Sequence, residues 1–282
     1  MRKKQALLSF AIAWFALTIL PVSNIFPQGN IFAERFLYIP SLGFCILMAV
    51  VFSYFPKRPL VTCLFYCWII SMGRLTWERN IVWKNDLNLW IDTVSKVPNS
   101  PRAHLNLAEQ YFLYGKTNEA ILELDTAIKI LPNYKQAYNG LGLVLYKTGD
   151  INAAIAAYQK AIAIDPKYNE AYNNMAAALI ENKQYKEAIN ALEIAINYNP
   201  YLTFAYYNLG QAYDKLGIPD KAIAAYEKFI AIKPEYAVIY ADMGRLYYQE
   251  GNTKKAKECC LKALELAPGH MPAQEIIDKI RD

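Results

Sequence analysis

The chain has 282 residues, a formal net charge of +5, 55% hydrophobic residues and 14% aromatic residues. Length allows one large domain or two modest ones. The positive charge is mild and gathers into no stripe, which excludes nucleic acid as the expected partner.

Residues 1–73 are almost wholly apolar, broken by two short basic clusters and the pair Glu34–Arg35. Three apolar runs occupy residues 6–22, 36–55 and 60–73. A bilayer core of about 30 Å takes about 20 apolar residues as a helix. The second run reaches that length and the first nearly does. The third is shorter, with Lys57, Arg58 and Arg74 placed to snorkel and Trp77 and Trp83 suited to the headgroup zone. Basic residues before the first run and between the second and third belong on the cytoplasmic side. Everything beyond about residue 77 is then expected outside the cytoplasm. A cleaved signal peptide is the rival reading of the first run. It leaves the placement of the second half unchanged.

From residue 98 onward, prolines recur at 98, 132, 166, 200, 234 and 268, one every 34 residues. Such a period marks a helical solenoid. Position 1 of each repeat is taken three residues past its proline. Position 20 is then Ala120, Ala154, Ala188, Ala222 and Ala256, and position 8 is Ala108, Gly142, Ala176, Gly210 and Gly244. Small residues there allow two helices to approach closely. Gly115, Gly149, Gly217 and Gly251 stand where the first helix ends and a left-handed residue is wanted. Lys183 holds that place in the third repeat, so a looser turn is expected there.

These features are the tetratricopeptide (TPR) pattern. The predicted fold is all-α, N-terminal transmembrane helices followed by a TPR α-solenoid. The expected organisation is a membrane region over 1–77, an amphipathic linker helix or degenerate half repeat over 78–100, five repeats over 101–270, and a capping helix over 271–282 with a wet outer face.

The first helix of each repeat lines the hollow of such a stack. Position 6 reads Asn106, Gly140, Asn174, Asn208 and Asp242, and position 5 adds Asn139 and Asn173. An amide offers both donor and acceptor, so a row of them can pair with an extended peptide backbone whatever its sequence. The row resembles the asparagine ladder of the O-GlcNAc transferase TPR domain, interrupted by Gly140 and altered at its end by Asp242. Phe112, Tyr146, Phe204, Tyr207 and Tyr248 are expected to add aromatic surface, although inter-repeat packing accounts for most of the tyrosines. No lysine stands at position 5, which speaks against the basic clamp that grips a C-terminal carboxylate.

The five cysteines form no disulfide framework and read as small buried hydrophobes. His104 and His270 are isolated, so no metal site is expected. No cofactor is expected, and no nucleophile–base pair or phosphate loop is present.

Glu34 and Arg35 lie just before the second apolar run. Charges at that depth are costly; an interfacial ion pair anchoring a helix end is the simple reading. The stretch around them, with Pro21, Asn24, Ala33-Glu34-Arg35, Leu37-Tyr38, Pro40-Ser41 and Gly43-Phe44, resembles the segment ahead of the repeats in another family. That family is the transmembrane-and-TPR-containing (TMTC) protein O-mannosyltransferases and their prokaryotic relatives. The resemblance implies a polyprenyl-phosphate sugar donor and an extracytoplasmic TPR array. It also implies that Arg35 meets the donor phosphate, oriented by Glu34. The early external loop that bears the family's catalytic acid has no counterpart here, which leaves no complete catalytic site. Two functions follow as expectations. One is a membrane-anchored extracytoplasmic protein binding a protein or extended peptide. The other is the C-terminal portion of a polyprenyl-phosphate-sugar-dependent glycosyltransferase whose repeats present the acceptor polypeptide.

Overall fold

A computed structural model describes residues 85–281, together with Cys67, Ile70, Ser71, Arg74 and Trp77. Glu34, Arg35 and nearly all of the three apolar runs lie outside the described residues. Among the described residues no helix is long and apolar enough to cross a membrane. Lys84–Asp282 forms one compact unit and Met1–Trp83 another.

The C-terminal unit is all-α among its described residues. Helix α1 (Asp86–Lys96) is followed by five helix pairs. The pairs are α2 (Pro101–Leu113) with α3 (Thr117–Ile130), α4 (Lys135–Lys147) with α5 (Ile151–Ile164), and α6 (Asn169–Glu181) with α7 (Tyr185–Tyr198). Next come α8 (Thr203–Lys215) with α9 (Pro219–Ile232), and α10 (Ala237–Gln249) with α11 (Thr253–Leu266). Helix α12 (Met271–Arg281) closes the order. Each helix packs chiefly on its neighbours in sequence, and first helices of successive repeats also touch. That is the quasi-one-dimensional contact pattern of a solenoid.

Before four of the six phased prolines the residue is extended, as the proline ring favours; Asp165 sits at φ −136°, ψ 99° and Asn199 at φ −140°, ψ 91°. Each second helix therefore stops one residue short of its proline. The turn inside each pair is closed by a left-handed residue. In the second repeat Gly149 (φ 87°) donates its N–H to the Tyr146 carbonyl, and Asp150 donates to Leu145. The third repeat does the same without glycine. Lys183 adopts φ 61°, donating to Ile180 (3.0 Å) while Gln184 donates to Leu179 (2.8 Å). The looser turn expected there is not found. Two Schellman hydrogen bonds impose the shared geometry on a side chain that disfavours it.

The core is a file of small residues. Position 20 is fully buried in all five repeats, as Ala120, Ala154, Ala188, Ala222 and Ala256. Position 8 faces position 24 of the partner helix, and the two co-vary. Ala108 and Ala176 share clusters with Leu124 and Leu192. Gly142 and Gly210 face the larger rings of Tyr158 and Tyr226, and Gly244 faces Cys260. A Cβ on Gly210 would lie 2.3 Å from Tyr226 Cε1, and one on Gly142 would lie 2.6 Å from Tyr158 Cε1. The glycines are there because a tyrosine fills the space a methyl would take.

The cysteines divide. Cys260 is buried, its thiol pushed up to about 11 by desolvation, and Cys259 is half-buried. Cys67 is exposed, against the expectation for it. Buried His104 is a packing residue, its Nδ1 2.5 Å from Glu123 Oε2 and its Nε2 2.8 Å from the Pro98 carbonyl.

Gly210→Ala should lower stability by about 1–3 kcal/mol through overpacking. Adding Tyr226→Leu, the pairing used in the first and third repeats, should recover most of that loss. Thermal unfolding followed by circular dichroism of the full chain checks both.

Candidate functional site

The first helices bring one row of side chains together. Position 5 of each repeat meets position 6 of the next, an offset of 35 residues. The row begins apolar: a Cβ on Gly140 would lie 3.5 Å from Leu105 Cδ1. Its middle is amide. Asn174 Nδ2 donates to Asn139 Oδ1 at 3.1 Å, and Asn208 Nδ2 donates to Asn173 Oδ1 at 2.9 Å. Asn173 Nδ2 approaches Asn174 Oδ1 at 3.4 Å, a long bond that joins the two pairs. The result is a directional line of four amides, Asn208 to Asn173 to Asn174 to Asn139.

Five of the six groove candidates thus sit in or beside one line, and four of them bond to one another. Asn106 stands outside it, because the helix ahead of it is α1 and no earlier first helix supplies a position 5. The mutual bonding is a feature the sequence reading missed. Only the 35-residue separation of Asn139 from Asn174, and of Asn173 from Asn208, could have signalled it. The bonds leave capacity over. Each of the four keeps at least one N–H and one lone pair, and Asn139 keeps both N–H groups.

Beyond Asn208 the row changes character. The next pair is Tyr207 and Asp242. Tyr207 accepts a bond at its hydroxyl from Gln211 Nε2 (2.9 Å), and its ring packs near Tyr226 and Phe229. Asp242 forms no hydrogen bond or ion pair among the described residues. Burial raises its pKa, Arg245 works against that rise, and Asp214 adds to it. Arg245 is engaged elsewhere: Nη2 lies 2.5 Å from Asp214 Oδ2, and Nη1 reaches Asp214 Oδ1 and Gln249 Oε1, each at 3.4 Å.

Of the expected aromatic surface, Phe204 is exposed, whereas Phe112, Tyr146, Tyr207 and Tyr248 are half-buried. The Lys233 ammonium lies 5.2 Å from the Phe204 ring centroid and 5.7 Å from that of Tyr236. Tyr158 and Tyr226 are packing residues, as expected of most tyrosines here.

The tetratricopeptide-repeat family matches over residues 136–168, 203–236 and 237–270, with further TPR matches at 108–149 and 157–190. The chain belongs to the tetratricopeptide-repeat family. Among curated relatives, the protein O-mannosyl-transferase F38B6.6 of Caenorhabditis elegans is 34% identical over 119 residues, 40% of this chain and 17% of that protein. Protein O-mannosyl-transferase Tmtc3 of Drosophila melanogaster is 28% identical over 130 residues, 44% of this chain and 14% of its own length. The human protein O-mannosyl-transferase TMTC1 is 30% identical over 118 residues, 39% of this chain and 13% of its length. The matches therefore span less than a fifth of those relatives. Among solved structures, MamA is 34% identical with a TM-score of 0.54, over 57% of this chain and 94% of that one. YrrB, described as a TPR protein with an unusual peptide-binding site, is 21% identical with a TM-score of 0.56, over 67% of this chain and 97% of its own. That likeness is one of fold.

Asn173→Ala removes the middle of the amide line and should cost about 1 kcal/mol of stability. A double-mutant cycle with Asn208→Ala should show coupling of about 0.5–1 kcal/mol, while Asn106→Ala changes little. Urea unfolding of the four variants is the measurement.

Proposed function

We propose that this chain holds an extended polypeptide in the hollow of its TPR solenoid. We further propose that residues 1–77 anchor it in a membrane, with the repeats on the extracytoplasmic face. The observation that carries the first part is the line of amides at Asn139, Asn173, Asn174 and Asn208, which retains unused donors and acceptors on adjacent first helices. Backbone N–H and C=O groups of any extended segment are their natural partners, so recognition would be tolerant of sequence. The membrane part rests on the apolar runs 6–22, 36–55 and 60–73 and on the Lys and Arg bias between them. Exposure of Ile70 and Trp77 agrees with it.

A second reading is favoured by the named relatives and by the Ala33-Glu34-Arg35 stretch. In it the chain is the C-terminal portion of a glycosyltransferase that draws on a polyprenyl-phosphate sugar, and the solenoid offers the acceptor polypeptide. Arg35 would contact the donor phosphate, since a guanidinium keeps its charge and pairs with two oxygens at once. Glu34 would orient it.

Ala177 stands at position 9, a half-buried first-helix position that the repeat pattern turns toward the hollow. Ala177→Arg should weaken binding of a labelled, unstructured Ser- and Thr-rich polypeptide by about tenfold or more, an effect of the size expected from steric and charge intrusion into an interface. Leu122→Arg, on a second helix and already exposed, should leave affinity unchanged. Equal affinity of both variants and the unaltered chain would remove the hollow as the interface. For the second reading, Arg35→Ala should abolish sugar transfer from a polyprenyl-phosphate donor in membranes that otherwise support it, with polypeptide affinity intact. Retained transfer would remove Arg35 from the donor site.

A further inference from the structure

The amide line ends at a cleft. Helices α10 and α12 bound a space of about 460 Å³ whose lining includes Val238, Ala241, Asp242, Tyr248, Glu275 and Ile276. Helix α12 keeps the phase of the repeats: Ala273 is fully buried at position 3, and Ile276 at position 6 packs in one cluster with Ala241 at position 5 of the repeat before. The cleft is therefore the last compartment of the same row that carries the amides.

We propose that this cleft takes a basic side chain, lysine or arginine, of the polypeptide lying in the hollow, with Asp242 as its carboxylate partner. The proposal rests on the hollow being a polypeptide site. Three observations favour a cation. Asp242 lines the cleft half-buried and bonds to nothing among the described residues, so its carboxylate stands open to a charged or hydrogen-bonding partner. Arg245, the resident cation that acts most strongly on Asp242, is already committed to Asp214 through both terminal nitrogens of its guanidinium. Finally, Val238, Ala241 and Ile276 offer apolar wall of the kind that covers the methylene stem of a long basic side chain.

The remaining groups on the cleft carry both signs. Glu275 adds an exposed carboxylate, while Lys279 is exposed and holds no partner across the cleft. His270 lines the same space, and its buried Nδ1 has no hydrogen-bond partner. On a ring protonated at Nε2, that nitrogen is a second acceptor for an N–H of the ligand. An anionic ligand could pair with Lys279 but would lie against the carboxylates of Asp242 and Glu275.

The test uses the full-length chain and fluorescein-labelled ten-residue peptides of Ser, Thr and Ala. The central residue is lysine, norleucine or glutamate, and binding is read by fluorescence anisotropy. The lysine peptide should bind about tenfold tighter than the norleucine peptide, the size of one charge-assisted hydrogen bond made out of water. Asp242→Asn should erase that difference and leave the helical circular dichroism spectrum unchanged. Equal affinity for lysine and norleucine peptides in the unaltered chain would overturn the proposal and leave the hollow standing as a polypeptide site. A preference for glutamate, or a lysine preference that survives Asp242→Asn, would overturn it likewise. Failure to bind any of the three peptides would overturn the hollow reading and this proposal together.

Discussion

The contact between positions 8 and 24 sets how closely the two helices of each repeat approach, and the rest of the solenoid follows from it. Cross-sections are conserved by compensation: Ala faces Leu, and Gly faces Tyr or Cys. Because interiors are close-packed, a methyl added on one side without removal on the other must move a helix. A changed approach in one pair rotates every later repeat relative to the earlier ones, since each unit touches only its neighbours. The hollow inherits its curvature from these buried pairs, not from the residues that line it.

The amide line depends on that regularity. A hydrogen bond tolerates a few tenths of an ångström, and Asn139–Asn174 and Asn173–Asn208 form at nearly the same length across two successive boundaries. Equal stacking steps permit this. The line stiffens the middle of the stack, where it is continuous, and it is absent at both ends, where Leu105 meets Gly140 and Ala241 shares a cluster with Ile276. The central repeats are thus joined by amide bonds as well as apolar packing, whereas the last repeat is tied to the one before it by the Arg245–Asp214 ion pair. A backbone laid along the hollow would find a preset spacing of donors and acceptors, which lowers the ordering cost of binding.

Much of the fold was legible because a repeat states each rule five times. One proline says little; six at equal spacing define helix ends, turns and pairs. The small residues at positions 8 and 20 likewise announced the close contact. The partner at position 24 went unnoticed, because Leu, Tyr, Leu, Tyr and Cys look unrelated until position 8 is read beside them. Lys183 misled for a different reason. Side-chain preference disfavours φ 61°, but two backbone hydrogen bonds and the packing of both helices outweigh a local cost of about 1–2 kcal/mol. At the site, the asparagines were visible as a row facing the hollow, but bonding between them was not, since it depends on register across repeats. Asp242 read as a flaw at the end of a ladder. Its isolation became visible only with Arg245 placed against Asp214.

That isolation bears on how ligand chemistry enters an otherwise repetitive scaffold. Four boundaries between first helices are satisfied internally, by amide bonds or by apolar contact. At the remaining one, between α8 and α10, Tyr207 turns its hydroxyl toward Gln211 and leaves the Asp242 carboxylate half-buried and unbonded. Desolvation opposes its charge, so the ionised group works against folding in the free chain. A sequence selected for stability alone would carry asparagine here, as the two preceding repeats do at Asn174 and Asn208. Retaining a carboxylate where an amide would fit makes sense when the missing partner arrives from outside. The amides would then hold the polypeptide backbone without regard to sequence, and the terminal cleft would supply the selectivity that the amides lack.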